Sequence, residues 1–210
     1  MLKALLFDLD GTLHDRNATA RRWLGGHVQR FDLPSAYAAR FVELDDFGYR
    51  PKVEVMPLLV QEFELTHPVQ ALLDDFAAHF MAAPVPMLHA HAVLRELRAR
   101  GVRLGIVTNG WPEVQTACLN GCGLTELVDD VAISKAVGLS KPDPAIYHLA
   151  LERLGVTAAA TWFVGDSPRN DVAGPQGVGL RAAFLPTGHA LAGERPDAVL
   201  TDLRDVLALA

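Results

Sequence analysis

The chain has 210 residues, half of them apolar and 21% charged, with a formal net charge of −6. That length allows one good core, or one domain with a sizeable insert, and the acidic balance excludes broad nucleic-acid binding, which needs a basic face. Two cysteines make no disulfide framework, no apolar run is long enough to span a membrane, and Asp8 interrupts the N-terminal apolar run too early for a signal peptide, so a soluble cytoplasmic protein is expected.

The first predicted element is a short buried strand over residues 5–7, which runs into Asp8-Leu9-Asp10-Gly11-Thr12-Leu13. Side chains alternate along a strand, so Asp8 and Asp10 are expected on one side and Leu9 on the other. Gly11 lets the backbone turn at once, and Thr12 offers a hydroxyl and an N–H to an anion. Residues 14–86 read differently. They hold no strand-like run, and their apolar residues recur at helical spacing: Leu58, Leu59, Phe63 and Leu65, then Leu72, Leu73, Phe76 and Phe80. Pro34, Pro51, Pro57, Pro68, Pro84 and Pro86 punctuate the stretch, which predicts three or four inserted helices acting as a lid. Trp23, Phe31, Phe41 and Phe47 are expected in the core of that insert.

A helix is predicted over residues 89–100, with Val93, Leu94 and Leu97 on one face and Gly101 at its end. Apolar runs at 102–107, 131–133, 161–164, 181–185 and 198–200 read as buried strands. Asp143-Pro144 caps and opens a helix over 145–154, which stops at Gly155. Strands alternating with helices give an α/β fold, a Rossmann-like parallel sheet with an inserted α-helical cap. The expected division is a core of residues 1–13 and 87–210 with a cap of residues 14–86.

Three more segments follow apolar runs: Thr108-Asn109-Gly110, Gly165-Asp166-Ser167 with Asp171 beyond it, and the loop Lys141-Pro142-Asp143-Pro144. Ligand crevices in open α/β sheets lie beyond the carboxyl ends of the strands, so these segments should converge near Asp8 and Asp10. Acidic, hydroxyl, amide and lysine groups at one spot suit phosphate-monoester chemistry. A carboxylate nucleophile meeting a phosphate dianion feels repulsion of about 4 kcal/mol per charge pair at about 4 Å, for an effective dielectric near ~20. A lysine and a hard divalent cation such as Mg²⁺ can offset it. The Thr108 hydroxyl and the N–H groups near Asn109 can hold the remaining phosphate oxygens.

The ordered set Asp8-Leu9-Asp10-Gly11-Thr12, Thr108-Asn109-Gly110, Lys141-Pro142-Asp143-Pro144 and Gly165-Asp166-Ser167 with Asp171 resembles the four motifs of the haloacid dehalogenase superfamily of phosphohydrolases. The resemblance spans the chain, including a helical cap between the first and second motifs. It implies Asp8 as the nucleophile that forms an aspartyl-phosphate and Asp10 as the acid and base. It implies Thr108, Asn109 and Lys141 as phosphate-binding groups. Mg²⁺ would lie on Asp8, Asp166 and the Asp10 backbone carbonyl, with Asp171 and Ser167 in support. Pro175 departs from the pattern, because such proteins usually continue there with alanine. Proline inside a helix costs about 3 kcal/mol or more, so the helix there should start near Gly174 or be irregular.

Cys118 and Cys122 read as two buried thiols on a helix face rather than a metal or redox pair. His89 and His91 lack partner ligands at suitable spacing and read as solvated or capping histidines. Arg95, Arg98, Arg100 and Arg103 read as a solvated helix end. The break Gly48-Tyr49-Arg50-Pro51-Lys52 stands open between an exposed connector and a substrate-selecting loop. In the second reading Arg50 and Lys52 meet an anionic or hydroxyl-rich leaving group and Tyr49 packs on its apolar face. His14, Asp15 and Arg16 leave the first strand toward the cap and are candidates to face the substrate.

The leading expectation is a Mg²⁺-dependent phosphatase acting on a small phosphorylated metabolite, such as a sugar phosphate, nucleoside monophosphate or phospho-acid. The alternatives are a phosphomutase, a 2-haloacid dehalogenase and a non-catalytic phosphometabolite-binding protein. Asp10 and Asp166 speak against the dehalogenase, which needs neither a general acid for an alkoxide nor Mg²⁺. The expected partner is the small phosphorylated metabolite, with no nucleic acid or membrane, and the oligomeric state stays open.

Overall fold

The structure is a computed structural model and describes residues 2–210. The chain divides into two compact units: the residues up to Asp15 together with Pro86–Ala210, and Arg16–Val85.

The first unit is built on a parallel sheet of six strands in the order β3-β2-β1-β4-β5-β6. The strands are β1 (Ala4–Phe7), β2 (Arg103–Thr108), β3 (Asp130–Ile133), β4 (Thr161–Gly165), β5 (Arg181–Phe184) and β6 (Ala198–Val199). All six coincide with the apolar runs expected from the sequence. Ala4 of β1 pairs with Arg103 on one side and Thr161 on the other, and Phe7 with Ile106 and Val164. The strand order therefore reverses at β1, which puts the chain's first carboxylates at the switch point of the sheet.

Helices α5 (Ala90–Ala99), α6 (Pro112–Gly121), α7 (Ser134–Val137), α8 (Pro144–Leu154) and α9 (Gly174–Gly177) complete this unit. In α5, Ala90, Val93, Leu94 and Leu97 are buried, the three- and four-residue spacing of one apolar face. The Asp143 side chain accepts the Ala145 N–H at 2.9 Å and caps α8 as expected. Leu6, Val107, Ile146, Tyr147, Ala150 and Phe163 pack in one cluster. Fully burying a side chain of that size stabilises by about 1.5–3 kcal/mol.

The second unit holds four helices, α1 (Arg16–Arg30), α2 (Tyr37–Asp45), α3 (Lys52–Glu62) and α4 (Val69–His79), and no strand among its residues. Trp23, Tyr37, Phe41, Met56, Leu59, Leu72 and Phe80 form its core, with Phe31 packed against them. A buried carboxylate ties the helices together. Asp75 accepts hydrogen bonds from Trp23 Nε1 (3.0 Å) and Arg30 Nε (2.5 Å), and His27 Nδ1 lies 2.7 Å from it. Burial alone would raise the Asp75 pKa, but the bonds from Arg30, His27 and Trp23 prevail and hold it down at about 2.

Two expectations for this unit need correction. Phe47 is 41% exposed rather than core, because Asp46 and Phe47 both adopt left-handed φ (48° and 52°) after α2 and carry the ring off the helix line. Pro57 lies inside α3 rather than punctuating it. Its missing N–H removes the usual donor to the Val53 carbonyl four residues back, in the first turn of α3, where helix hydrogen bonding is least demanding.

Candidate active site

Asp8 follows β1 directly, and its backbone N–H still donates to Val164 O (2.9 Å), continuing the ladder. Thr108 ends β2, Asp166 follows β4, and Leu185-Pro186-Thr187 follows β5, with Leu185 N–H donating to Gly165 O (2.9 Å). The sheet register thus sets these groups along one edge, as the sequence predicts.

Lys141 reaches into that edge from the loop before α8. Its Nζ donates to Asp8 Oδ1 at 2.7 Å and to Asp171 Oδ1 at 2.8 Å. All three side chains are buried. Burial by itself would lower the lysine pKa, but the charges of Asp171 and Asp8 hold it well above the ordinary value. Asn109 holds the backbone of this loop in a two-way clamp. Its Nδ2 donates to Lys141 O and its Oδ1 accepts the Lys141 N–H, both at 2.9 Å. The Asn109 carboxamide is therefore engaged in placing Lys141.

Asp171 lies on a π-helical turn, Pro168–Ala173, that runs into α9. The irregularity expected around Pro175 is present, and it places Asp171 inside the site. Its Oδ2 accepts the Ser167 N–H at 2.9 Å, so Ser167 supports Asp171 through its backbone, while its hydroxyl accepts the Asn170 N–H (3.4 Å). The Tyr147 hydroxyl donates to Asn170 O at 2.5 Å and pins the turn to α8.

Carboxylate oxygens of Asp8, Asp166 and Asp171 all lie within 4.8 Å of one another. Burial pushes Asp8 up to about 7 despite the pull of Lys141, with Asp171 and Asp10 adding to the rise. Burial, then the charges of Asp8 and Asp171, push Asp166 up to about 8. Close packing on both sides confines Asp166. A Cβ on Gly11, whose φ is +84°, would lie 2.1 Å from Asp166 Oδ2, and one on Gly188 would lie 2.4 Å from it. Crowded, desolvated carboxylates with oxygen donors only are a set suited to a hard divalent cation.

Asp10 is held separately. His14 Nδ1 lies 2.6 Å from its Oδ1, and Gln115 Nε2 donates to its Oδ2 at 3.0 Å. His14 is wholly buried, so the reading that turned it toward a substrate is corrected: it faces Asp10. Thr12 also departs from expectation. Its N–H closes the turn onto Leu9 O (3.2 Å) instead of facing an anion, and its buried hydroxyl has no hydrogen-bond partner among the described residues.

Four site residues were not read from the sequence. Gln115 comes from α6, Ser134 accepts the Gly110 N–H (3.0 Å), Thr187 donates to Gly11 O, and Tyr147 braces the Asp171 turn. The only available signal was proximity to a motif, and for Thr187 not even that.

Of the other singled-out residues, Cys118 lies within α6 and Cys122 at its end, both buried free thiols. Cys118 Sγ is within 4.8 Å of ligand atoms on Asp10 and His14, but those two engage each other. His91 Nε2 lies 2.8 Å from Cys122 O, and His89 precedes α5. Arg98 pairs with Asp129 (2.9 Å) and Arg100 with Glu96 (3.0 Å).

In the helical unit Tyr49 is exposed, and Arg50 Nε lies 3.7 Å from Glu54. Lys52 turns inward instead. Its Nζ is 2.5 Å from Asp45 Oδ1, on a buried carboxylate that also takes Arg16 Nη1 at 2.6 Å. Lys52 is therefore part of the unit's internal frame, which counts against it as a selectivity group.

A family model described as haloacid dehalogenase-like hydrolase matches residues 2–179. The phosphoglycolate phosphatase of Rhodospirillum rubrum is 33% identical over 208 residues, covering 90% of this chain and 82% of that protein. The phosphoserine phosphatase of Thermus thermophilus is 40% identical over 121 residues, covering 56% of this chain and 48% of the relative, about half its length. In fold, the HAD-hydrolase YfnB from Bacillus subtilis, bound to magnesium, aligns with a TM-score of 0.85 at 21% identity, covering 99% of this chain and 98% of that one. Among the described residues no helix is long and apolar enough to cross a membrane.

Proposed function

The chain belongs to the haloacid dehalogenase-like hydrolases and is a phosphoric monoester hydrolase, and we propose that it cleaves a small phosphorylated metabolite through an aspartyl-phosphate on Asp8, with Mg²⁺ as its cation. The observation that carries this reading is the Lys141 bridge between Asp8 and Asp171, beside Asp166. A buried carboxylate fixed by an ammonium group has one oxygen engaged and the other available to attack phosphorus.

In this reading Asp8, Asp166 and the Asp10 backbone carbonyl hold Mg²⁺, and Asp171 supports the set. When bound, the cation supplies positive charge against the repulsion between Asp8 and the phosphate dianion. Lys141 adds its own charge beside the transferring group. The Thr108 hydroxyl and the Asn109 backbone N–H bind the remaining oxygens, with the Asn109 carboxamide keeping the Lys141 loop in register. Asp10 gives a proton to the departing alcohol and takes one from the attacking water. Environments that set two neighbouring carboxyls to different tasks are a recurrent device.

The helices of the Arg16–Val85 unit act in this proposal as a cap that selects the leaving alcohol. Their insertion straight after the Asp8–Asp10 segment, as a separate compact unit, supports that role. Tyr49, exposed, and Arg50, half-buried, are the selecting groups of the 48–52 break. A cytoplasmic setting accords with two free buried thiols.

The test is phosphate release from a panel of sugar phosphates, nucleoside monophosphates and phospho-acids, with and without Mg²⁺. Release that requires Mg²⁺ and leaves no phosphorylated product is expected. Transfer of the phosphoryl group to a second hydroxyl would indicate a mutase, and binding without turnover a non-catalytic protein.

A further inference from the structure

His14 has its backbone fixed from two directions. Its N–H donates to Leu9 O and its carbonyl accepts the Gly11 N–H, both at 2.9 Å, and it bridges to Pro86. Its ring, 0% exposed, puts Nδ1 at 2.6 Å from Asp10 Oδ1. On the opposite oxygen, Gln115 Nε2 donates to Asp10 Oδ2 and also to Asn109 O, each at 3.0 Å. Gln115 is 3% exposed, and its Oε1 has no hydrogen-bond partner among the described residues. Leaving a buried acceptor unpaired is unfavourable. The amide orientation that aims Nε2 at Asp10 is therefore kept despite that cost.

An aspartate carboxyl rotates broadly about its last torsion, with no sharp preferred angle. Partners on separate oxygens, the His14 ring on Oδ1 and the Gln115 amide on Oδ2, remove that freedom. We propose that His14 is a positioning residue that, opposite Gln115, holds the Asp10 carboxyl in the orientation required for proton transfer, a role that presupposes the phosphatase reading.

Asp10 works twice. In the first step an Asp8 oxygen bonds to phosphorus, the bond from phosphorus to the leaving oxygen breaks, and the Asp10 proton moves to that oxygen. In the second a water oxygen bonds to phosphorus, its proton returns to Asp10, and the bond to Asp8 breaks, restoring the carboxylate. His14 touches no reacting atom.

The two steps separate by leaving group. Phenyl and para-nitrophenyl phosphate have similar shapes, but para-nitrophenolate departs without a proton. A misplaced Asp10 slows both steps for phenyl phosphate and only the second for the nitro ester, so the phosphoenzyme accumulates.

With Mg²⁺ and the full chain, His14→Ala should lower kcat on phenyl phosphate by roughly 10–10²-fold, with KM little changed. On the nitro ester it should give a burst of about one equivalent of phenolate before slow turnover. His14→Asn, which restores an N–H near the Nδ1 position, should recover most of the rate. Equal losses on both esters without a burst, or no loss, would overturn the proposal and leave His14 a packing residue. If His14→Ala does not fold, Gln115→Met must give the same burst for the proposal to stand. A nitrogen-15 NMR spectrum gives a readout that needs no turnover: the His14 Nδ1–H resonance should move on Asp10→Asn. A resonance indifferent to that change overturns the proposal, whereas a wild-type chain inactive on every ester overturns the phosphatase reading.

Discussion

Lys141 Nζ lies 2.7 Å from Asp8 Oδ1, and the lysine is the only bridge recorded between Asp8 and Asp171 among the described residues. Removing one partner of a buried charge set leaves the others uncompensated, at about 3–5 kcal/mol. Lys141→Met should therefore lower the unfolding free energy of the chelated protein by about that amount near pH ~8, and by less near pH ~5, where Asp8 and Asp166 can take up protons. Urea unfolding at the two pH values checks this. Turnover should fall by roughly 10²–10³-fold or more, since the donor beside the transferring group is gone.

Asp8→Asn should abolish nearly all turnover without unfolding the chain, because an amide is no nucleophile here. Asp10→Asn should retain cation binding through its backbone carbonyl and lose roughly 10²–10⁴-fold in rate. Steady-state kinetics beside a Mg²⁺ titration separates the two. Turnover in Asp8→Asn close to wild type would show that another residue attacks phosphorus.

Stability should depend on pH with a sign set by the site. Asp8 and Asp166 rise from an ordinary 3.8 to about 7 and about 8, so the native chain holds their protons more tightly than the unfolded one. Their contribution is present below 3.8 and is lost as pH rises through about 7 and about 8. His27, lowered by burial, acts in the opposite direction at lower pH, so the comparison should be differential. Melting curves in chelator should show wild type losing more stability than Asp166→Asn between about pH 5 and about pH 8. Mg²⁺ should restore it in wild type alone, because it binds the deprotonated carboxylates.

Arg50 and Lys52 should behave differently although they are near neighbours in sequence. Lys52 shares the buried Asp45 with Arg16, so Lys52→Ala should cost stability, on the order of 1–3 kcal/mol by thermal or urea unfolding. Arg50 is more exposed and only loosely paired with Glu54, so Arg50→Ala should change stability by less than about 0.5 kcal/mol. In the selective-loop reading Arg50→Ala raises KM for the natural substrate and leaves an aryl phosphate nearly unaffected. Equal KM changes on both substrates, or none, would make the 48–52 break a connector.

The sequence by itself determined the sheet and the row of groups along its edge. Apolar runs such as 102–107 and 161–164 can hardly be anything but buried strands, and a side chain next to a strand end goes where the strand puts it. Asp8, Thr108 and Asp166 are such residues, so local chain geometry was enough to place them. Pro175 likewise announced the irregular turn at Pro168–Ala173, because its missing N–H acts within one turn of helix.

Tertiary structure alone decided how the polar groups are engaged. Gln115 meets Asp10 across 105 residues, and Lys141 meets Asp8 across 133. His14 turned to Asp10, Lys52 turned to Asp45, and Phe47 turned outward. None of these choices follows from residue type, since a histidine, lysine or phenylalanine suits either direction locally. Phe47 follows the left-handed backbone after α2, and the polar side chains follow from burial, which makes an unpaired polar group expensive and so selects whichever partner the packed helices and strands bring within reach.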